Sequence, residues 1–334
     1  MDFDDTGALK EHISVDSLSD SLRMATHITG TFKKPDFAHT ERAAHSALPN
    51  DADVTTATFN FVAMLATDLS SEDLALPSWP EVVVKIKAAL LDEDCSEEGL
   101  IRLVGSEPVL AARLLRSANS ELPVDTAPAG DLRTAVERLG FTRARSLAIS
   151  LATAQIGNGQ AIRHVKAYLA DLWQHSIQVA TIADIIAKKY TTINPAEAHL
   201  AGLLHDIGKL YVLTRAQNEP ALCDSETTLQ EVMDAWHTSI GSAIIESWGF
   251  CENFIAAISD HELCDLEGTR SANLTDVISV ANLLANQQKA EPRDQVDLNT
   301  VPACRRLNLH AGIGIEIIRV SEMEIRALHQ VIGI

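Results

Sequence analysis

From residue 76 to residue 290 the apolar residues recur at three- and four-residue spacings, and nowhere do they alternate with period two over the length of a strand. That spacing lines up side chains on one face of a helix, whereas a half-buried strand requires alternation. The chain is therefore expected to be all-α. Composition agrees, because hydrophobic residues make up 46% of the sequence and aromatics only 4%. The core must be built from Leu, Ile, Val and Ala, a mixture suited to helix-on-helix packing. With 334 residues, the chain has room for two ordinary domains or one large helical domain with an extension.

Local signals punctuate this pattern. Leu76-Pro77-Ser78-Trp79-Pro80 gives way to an apolar-periodic run from Val82 to Leu91, with Pro80 in a first turn where a missing N–H costs nothing. Ser96 followed by Glu97 and Glu98 marks a second helix. A third opens at Glu107-Pro108 and runs to Ala118-Asn119-Ser120. A fourth spans Asp131 to Leu139 and stops at Gly140. The next starts at Thr142 and ends before Gly157-Asn158-Gly159. Longer helices follow over 161–189, 195–213, 228–248, 251–262 and 274–287. The Gly-Asn-Gly break separates a helical subdomain of about 74–156 from a second bundle of about 160–290.

In the last segment, 291–334, Ile313, Ile315, Ile317 and Ile318 suit either strand or helix. Ser321 with Glu322 and Glu324 favours a final helix, expected to pack on the second bundle. Residues 1–73 are acidic, rich in Ser, Thr and Asp, and only weakly periodic around 16–28 and 53–67. A weakly structured extension is expected there.

A formal charge of −19 repels nucleic-acid phosphate, so nucleic acid is not an expected partner unless a local basic patch exists. Arg133, Arg138, Arg143 and Arg145 crowd around one helix junction. The bland account of them is solvated helix faces paired with Glu137 and other acids; the competing account is contact with nucleic acid or phosphate. No run reaches the roughly 18 apolar residues of a membrane span, and Met1-Asp2-Phe3-Asp4-Asp5 is no signal peptide. A cytoplasmic protein without membrane association is expected. Its five cysteines are scattered without a C-x-x-C pair, so they should be reduced and mostly buried.

The chemistry lies in histidines and carboxylates on apolar faces. His175 shares a face with Leu172, Val179, Ile182 and Ile186. His205-Asp206 is set between Ala201-Gly202-Leu203-Leu204 and Ile207-Gly208. His237 lines up with Met233, Ile240, Gly241 and Ile244, and His261 with Phe254 and Ile258. One inward histidine alone is ordinarily a hydrogen-bonded core residue. Four of them with an adjacent His-Asp pair point to a shared site, because each unpaired buried polar group costs about 1–3 kcal/mol. A divalent metal is one such partner, and imidazole with carboxylate suits Fe, Mn, Zn or Ni. A metal so held supports phosphoester hydrolysis by polarising a phosphoryl oxygen and acidifying a bound water. His164, His199 and His310 lack the pattern and are expected at the surface or in loops.

These residues form an ordered series. Leu76-Pro77-Ser78-Trp79-Pro80-Glu81 resembles the opening Leu-Pro-x-x-Pro-x of HDOD domains. The stretch Glu107-Pro108 through Leu110-Ala111-Ala112-Arg113-Leu114-Leu115-Arg116-Ser117-Ala118-Asn119-Ser120, then Ala135-Val136-Glu137-Arg138-Leu139-Gly140, resembles their next signatures. Leu172-Trp173-x-His175-Ser176, Ala201 to Gly208, His237-x-x-x-Gly241 and Trp248 complete it. The resemblance covers about 74–290 and implies a bacterial HDOD domain, an HD-superfamily helical bundle preceded by a smaller helical subdomain.

The resemblance further implies metal ligands at His175, His205 and Asp206, and a last Asp on the helix 274–287, where Asn282 stands instead. An amide carbonyl can ligate but brings no charge, so the site is degenerate. Asp276 is about 240° around the helix from Asn282 and is a poor replacement for it. Asp260-His261-Glu262 partly resembles the His-His-Glu of HD-GYP phosphodiesterases, but Gly-Tyr-Pro is absent. Hydrolysis of cyclic di-GMP is thus not expected, while His237, Asp260 and His261 remain candidate second-site ligands. What the resemblance implies is a regulatory signal-transduction module without efficient catalysis, acting through a signalling protein partner or a nucleotide. The alternative is a metal-dependent phosphohydrolase, with Asp206 as its catalytic residue.

Overall fold

Side-chain caps and prolines divide the first part of the chain into five helices, as the sequence leads one to expect. The computed structural model describes residues 76, 78–120, 126–158, 166–216, 226–263, 271–288 and 296–333. Helix α1 (Pro80–Leu91) starts on its proline and buries Val82, Val83, Ile86 and Leu90. In α2 (Glu97–Val104) the Ser96 hydroxyl accepts the Gly99 N–H at 3.1 Å. Glu107 caps α3 (Pro108–Asn119) by accepting the Leu110 N–H at 2.7 Å. α3 buries Val109, Leu110, Leu114 and Leu115 and is the apolar centre of this part. Asp131 accepts the Thr134 N–H to start α4 (Leu132–Leu139). Gly140, at φ 76°, turns the chain into α5 (Phe141–Asn158) in the left-handed region that favours glycine.

The remaining helices are α6 (Lys166–Tyr190), α7 (Pro195–Leu204), α8 (Ile207–Ala216), α9 (Glu226–Ser247), α10 (Glu252–Asp260) and α11 (Leu274–Gln287). They are followed by a 3₁₀ turn (Leu298–Thr300), α12 (Pro302–Arg306) and α13 (Ala311–Ile332). Among the described residues there is no strand. α6 is the hub, with α7, α11 and α13 packed along it. α8 lies on α9, which hands over to α10, and α10 returns to α11.

Two close crossings set this geometry. A Cβ at Gly202 would come within 2.8 Å of the Ala180 Cα, so α7 can lie against α6 only with glycine there. A Cβ at Gly208 would overlap the His237 carbonyl oxygen and stand 2.8 Å from the Gly241 N. Gly208 and Gly241 therefore bring the start of α8 directly onto the middle of α9.

The first five helices are tied to the rest by polar bonds. The Trp173 indole N–H donates to the Ser106 carbonyl at 2.8 Å, and His199 Nε2 donates to the Gly105 carbonyl at 3.0 Å. Asn194 donates to the Asp131 carboxylate at 3.1 Å. His329 of α13 stacks on Trp173 at 5.8 Å, and Trp173 packs on Trp79 at 4.8 Å.

Several sequence expectations need correction. The helix read as 195–213 is two helices broken at His205-Asp206. The helix expected to stop before Gly157 continues to Asn158. The final helix that Ser321, Glu322 and Glu324 favoured is present and runs Ala311–Ile332. His199 is a half-buried helix residue, while His310 is exposed as expected. Of the described cysteines only Cys304 is buried; Cys95 is half-buried and Cys251 exposed. Residues 1–75, with the weak periodicity around 16–28 and 53–67, and His164 lie outside the described residues. Among the described residues no helix is long and apolar enough to cross a membrane.

The arginine crowd is largely structural. Arg145 donates to the Leu90 and Asp92 carbonyls at 2.7 and 2.6 Å, closing the end of α1. Arg138 donates to the Ala127 carbonyl and to Asn119, and Arg133, exposed, faces the acid Glu98 at 4.0 Å.

Candidate metal centre

The break at His205-Asp206 creates the centre. His205 is the C-cap of α7 and His261 that of α10, so both rings can reach carbonyls that a helix end leaves without an intrahelical donor. His205 Nδ1 donates to the Gly202 carbonyl at 2.7 Å and His261 Nδ1 to the Ile258 carbonyl at 2.8 Å. Inside α9, His237 Nδ1 donates to the Met233 carbonyl at 2.7 Å. A carbonyl oxygen only accepts, so all three rings carry their proton on Nδ1. In the neutral ring Nε2 is then a lone pair.

All these Nε2 atoms face one carboxylate. Asp206 Oδ2 lies 3.3 Å from His205 Nε2 and 3.8 Å from His175 Nε2, while Oδ1 lies 3.5 Å from His237 Nε2 and 3.7 Å from His261 Nε2. Two groups result, His175–His205–Asp206 and Asp206–His237–His261, each with its donor atoms within 4.8 Å of one another. They share Asp206, one oxygen toward each. His205, His237 and His261 are fully buried, Asp206 is 2% exposed, and His175 and Asn282 reach the margin at 8% and 9%.

Asn282 stands where the sequence led one to expect the degenerate ligand. Its Oδ1 lies 3.1 Å from His175 Nε2 and accepts the Asn286 amide at 3.1 Å. Asp276 belongs elsewhere, in the capping box of α11 and in a buried ion pair with Arg306 at 2.6 Å. Asp260 ends α10 half-buried and is in neither group; the acid beside His237 is Glu262, with Oε1 at 3.3 Å.

Two residues of the centre escaped the sequence reading. Lys209 donates to Asp206 Oδ2 at 2.9 Å. Its three-residue spacing from Asp206 was the available signal. Glu262 was visible as the neighbour of His261, but a helix continued to residue 262 hid its direction.

The charges are interlocked. Burial favours neutral Asp206, yet His205, Lys209 and His237 hold its carboxyl well below the usual carboxylate range. Burial opposes the charge of Lys209, but Asp206 raises its pKa. Burial likewise opposes imidazolium at His237, while Glu262 and Asp206 push its pKa up. Burial and the adjacent His205 drive His261 down to about 3. Glu262 is lowered, against its burial, by His237.

The donor set fits a divalent transition metal. Imidazole nitrogen with carboxylate suits Fe, Mn, Zn or Ni, and backbone-anchored Nδ1–H groups are the outer support such ligands ordinarily have. Asp206 Oδ1, His237 Nε2 and His261 Nε2 are buried without a hydrogen-bond partner. Their orphaning would cost about 1–3 kcal/mol each without a cation or a proton between them. A metal bound here would supply Lewis-acid polarisation and an acidified water.

The comparisons with known proteins bear on the fold and the family. No curated protein matches the chain. The fold is similar to that of the MmoQ response regulator from Methylococcus capsulatus, at 22% identity and a TM-score of 0.60, over 73% of this chain and 98% of that one. A fragment structure of MmoQ gives 25% identity and a TM-score of 0.55 over 70% and 91%. An HDOD domain protein of unknown function from Geobacter sulfurreducens gives 23% identity and a TM-score of 0.42 over 81% and 98%. The family model described as HDOD domain matches residues 76–263, from the proline-bracketed Trp79 through the His261-Glu262 pair. More than half of the chain is thereby accounted for, and the chain belongs to the HDOD domain family.

Proposed function

We propose that the protein is a regulatory signal-transduction module whose buried His–Asp centre holds a divalent metal without efficient turnover, and which acts through a signalling protein partner or a nucleotide. The observation that carries this reading is the Asn282–His175 contact at 3.1 Å. A catalytic metal keeps an open position for water or substrate. Here His175 and Asn282, at the margin, face each other, and His205, Asp206, His237 and His261 are 0–2% exposed. Asn282 also withholds the negative charge that an acid would add beside a metal-bound hydroxide. The response-regulator description of MmoQ, at 25% identity, is consistent with a signalling role.

A second reading, a metal-dependent phosphohydrolase acting on a nucleotide or other phosphoester, is favoured by one feature. Asp206 offers a separate oxygen to each histidine group, a layout suited to bridging two ions. The experiment that decides is an assay of the full chain with Mn, Fe and Mg against nucleotides and cyclic dinucleotides. The proposed function expects no phosphate release above the blank. Release that disappears in Asp206→Ala overturns it.

A further inference from the structure

The two histidine groups differ in how their donor atoms are satisfied. In the His175 group, His175 Nε2 faces Asn282 Oδ1 at 3.1 Å and His205 Nε2 at 3.3 Å, and Asp206 Oδ2 accepts from Lys209 at 2.9 Å. In the other group Asp206 Oδ1, His237 Nε2 and His261 Nε2 have no hydrogen-bond partner, although all three residues are at most 2% exposed. Glu262 Oε1 comes within 3.3 Å of His237 Nε2 from the half-exposed side. The unsatisfied atoms are thus the three donors of one group and none of the other.

Charge separates the groups in the same direction. Both ends share the one Asp206 carboxylate, which Lys209 partly offsets. At the His175 end Asn282 adds no charge, whereas at the His237 end Glu262 adds a second carboxylate. Low-dielectric surroundings amplify that difference.

We propose that the centre takes up a single divalent transition-metal ion at the inner end, on Asp206 Oδ1, His237 Nε2 and His261 Nε2, with Glu262 as fourth donor. The His175 end remains a hydrogen-bonded network of His175, His205 and Asn282. Glu262 is free enough to complete the set, since 49% of its side chain is exposed.

This rests on the reading of the centre as a metal-holding regulatory element, and the two fail separately: phosphate release sinks that reading, whereas stoichiometry and ligand dependence sink this one. The full chain, stripped with chelator, is titrated with Zn(II) and separately with Co(II), whose visible spectrum reports coordination. One ion per chain is expected. His261→Ala should abolish binding, His175→Ala should retain it, and Glu262→Gln should weaken it by about tenfold. Because His261→Ala removes a buried ring, the half-exposed Glu262→Gln is the variant that leaves folding undisturbed. Two ions per chain, none, or loss in His175→Ala with retention in His261→Ala overturns the inference. Unchanged affinity in Glu262→Gln removes Glu262 from the ligand set.

Discussion

At the scale of single residues, the centre depends on which atoms are left facing the carboxylate of Asp206. Asn282→Asp should return a charged donor to the His175 end, and metal content should rise from one ion per chain to two; unchanged content would show that Asn282 is not what limits that end. Glu107, outside the centre, makes a separate prediction. It is 1% exposed, and burial outweighs the Leu110 N–H bond to raise its carboxyl from 4.5 to about 7. A carboxyl raised in the folded state binds its proton more tightly there than when unfolded. Its contribution to stability is present below about pH 4.5 and is lost as pH rises through about 7. Glu107→Gln keeps an acceptor for Leu110 but cannot ionise. Between pH 5.5 and 8, the wild type should therefore lose about 2 kcal/mol relative to this variant in urea unfolding. A pH-independent difference would contradict the burial account. The inward direction of His175, His205, His237 and His261 was legible from apolar spacing alone. Lys209 and Glu262 were not, because their roles depend on the helices that end at His205 and His261.

At the scale of elements, glycines let the histidine-bearing helices touch. Gly208→Ala would drive a methyl into the His237 carbonyl and against Gly241. It should cost about 1–3 kcal/mol of stability and weaken metal binding by moving His237 away from Asp206. Full stability in thermal unfolding with unchanged metal affinity would contradict the close crossing. The break between α7 and α8 was hidden in the sequence, since Ala201 to Leu204 and Ile207 to Leu213 are apolar on both sides of it. An apolar run that continues through a two-residue break keeps its helical look. The cap at Ser96 was far more readable: its hydroxyl accepts the Gly99 N–H that its residue type suggests, and Asp131, read as a helix start, caps α4 in the same way.

At the scale of the molecule, the hub helix α6 carries His175 on one side and, through Trp173, a bond to the loop before α3. The signature residues around Glu107-Pro108 and those around His175 therefore belong to one connected structure. Trp173→Phe keeps the ring against Trp79 but leaves the buried Ser106 carbonyl without the indole donor, and should cost about 1–3 kcal/mol in urea unfolding. An unaltered midpoint would show that this bond does not couple the two parts. The all-helical class was legible from the absence of period-two alternation, and so was a final helix, but the face of α13 that is buried was not. Its isoleucines at 313, 315, 317 and 318 follow no single face, and Ile315 remains 69% exposed while Ile317 is buried.

The most direct test of the central claim, a metal-holding centre without efficient turnover, is phosphate release from nucleotides and cyclic dinucleotides by the full chain loaded with its own metal. The account predicts one ion per chain and release no faster than the blank. Release that requires the bound ion and vanishes in Asp206→Ala would contradict it.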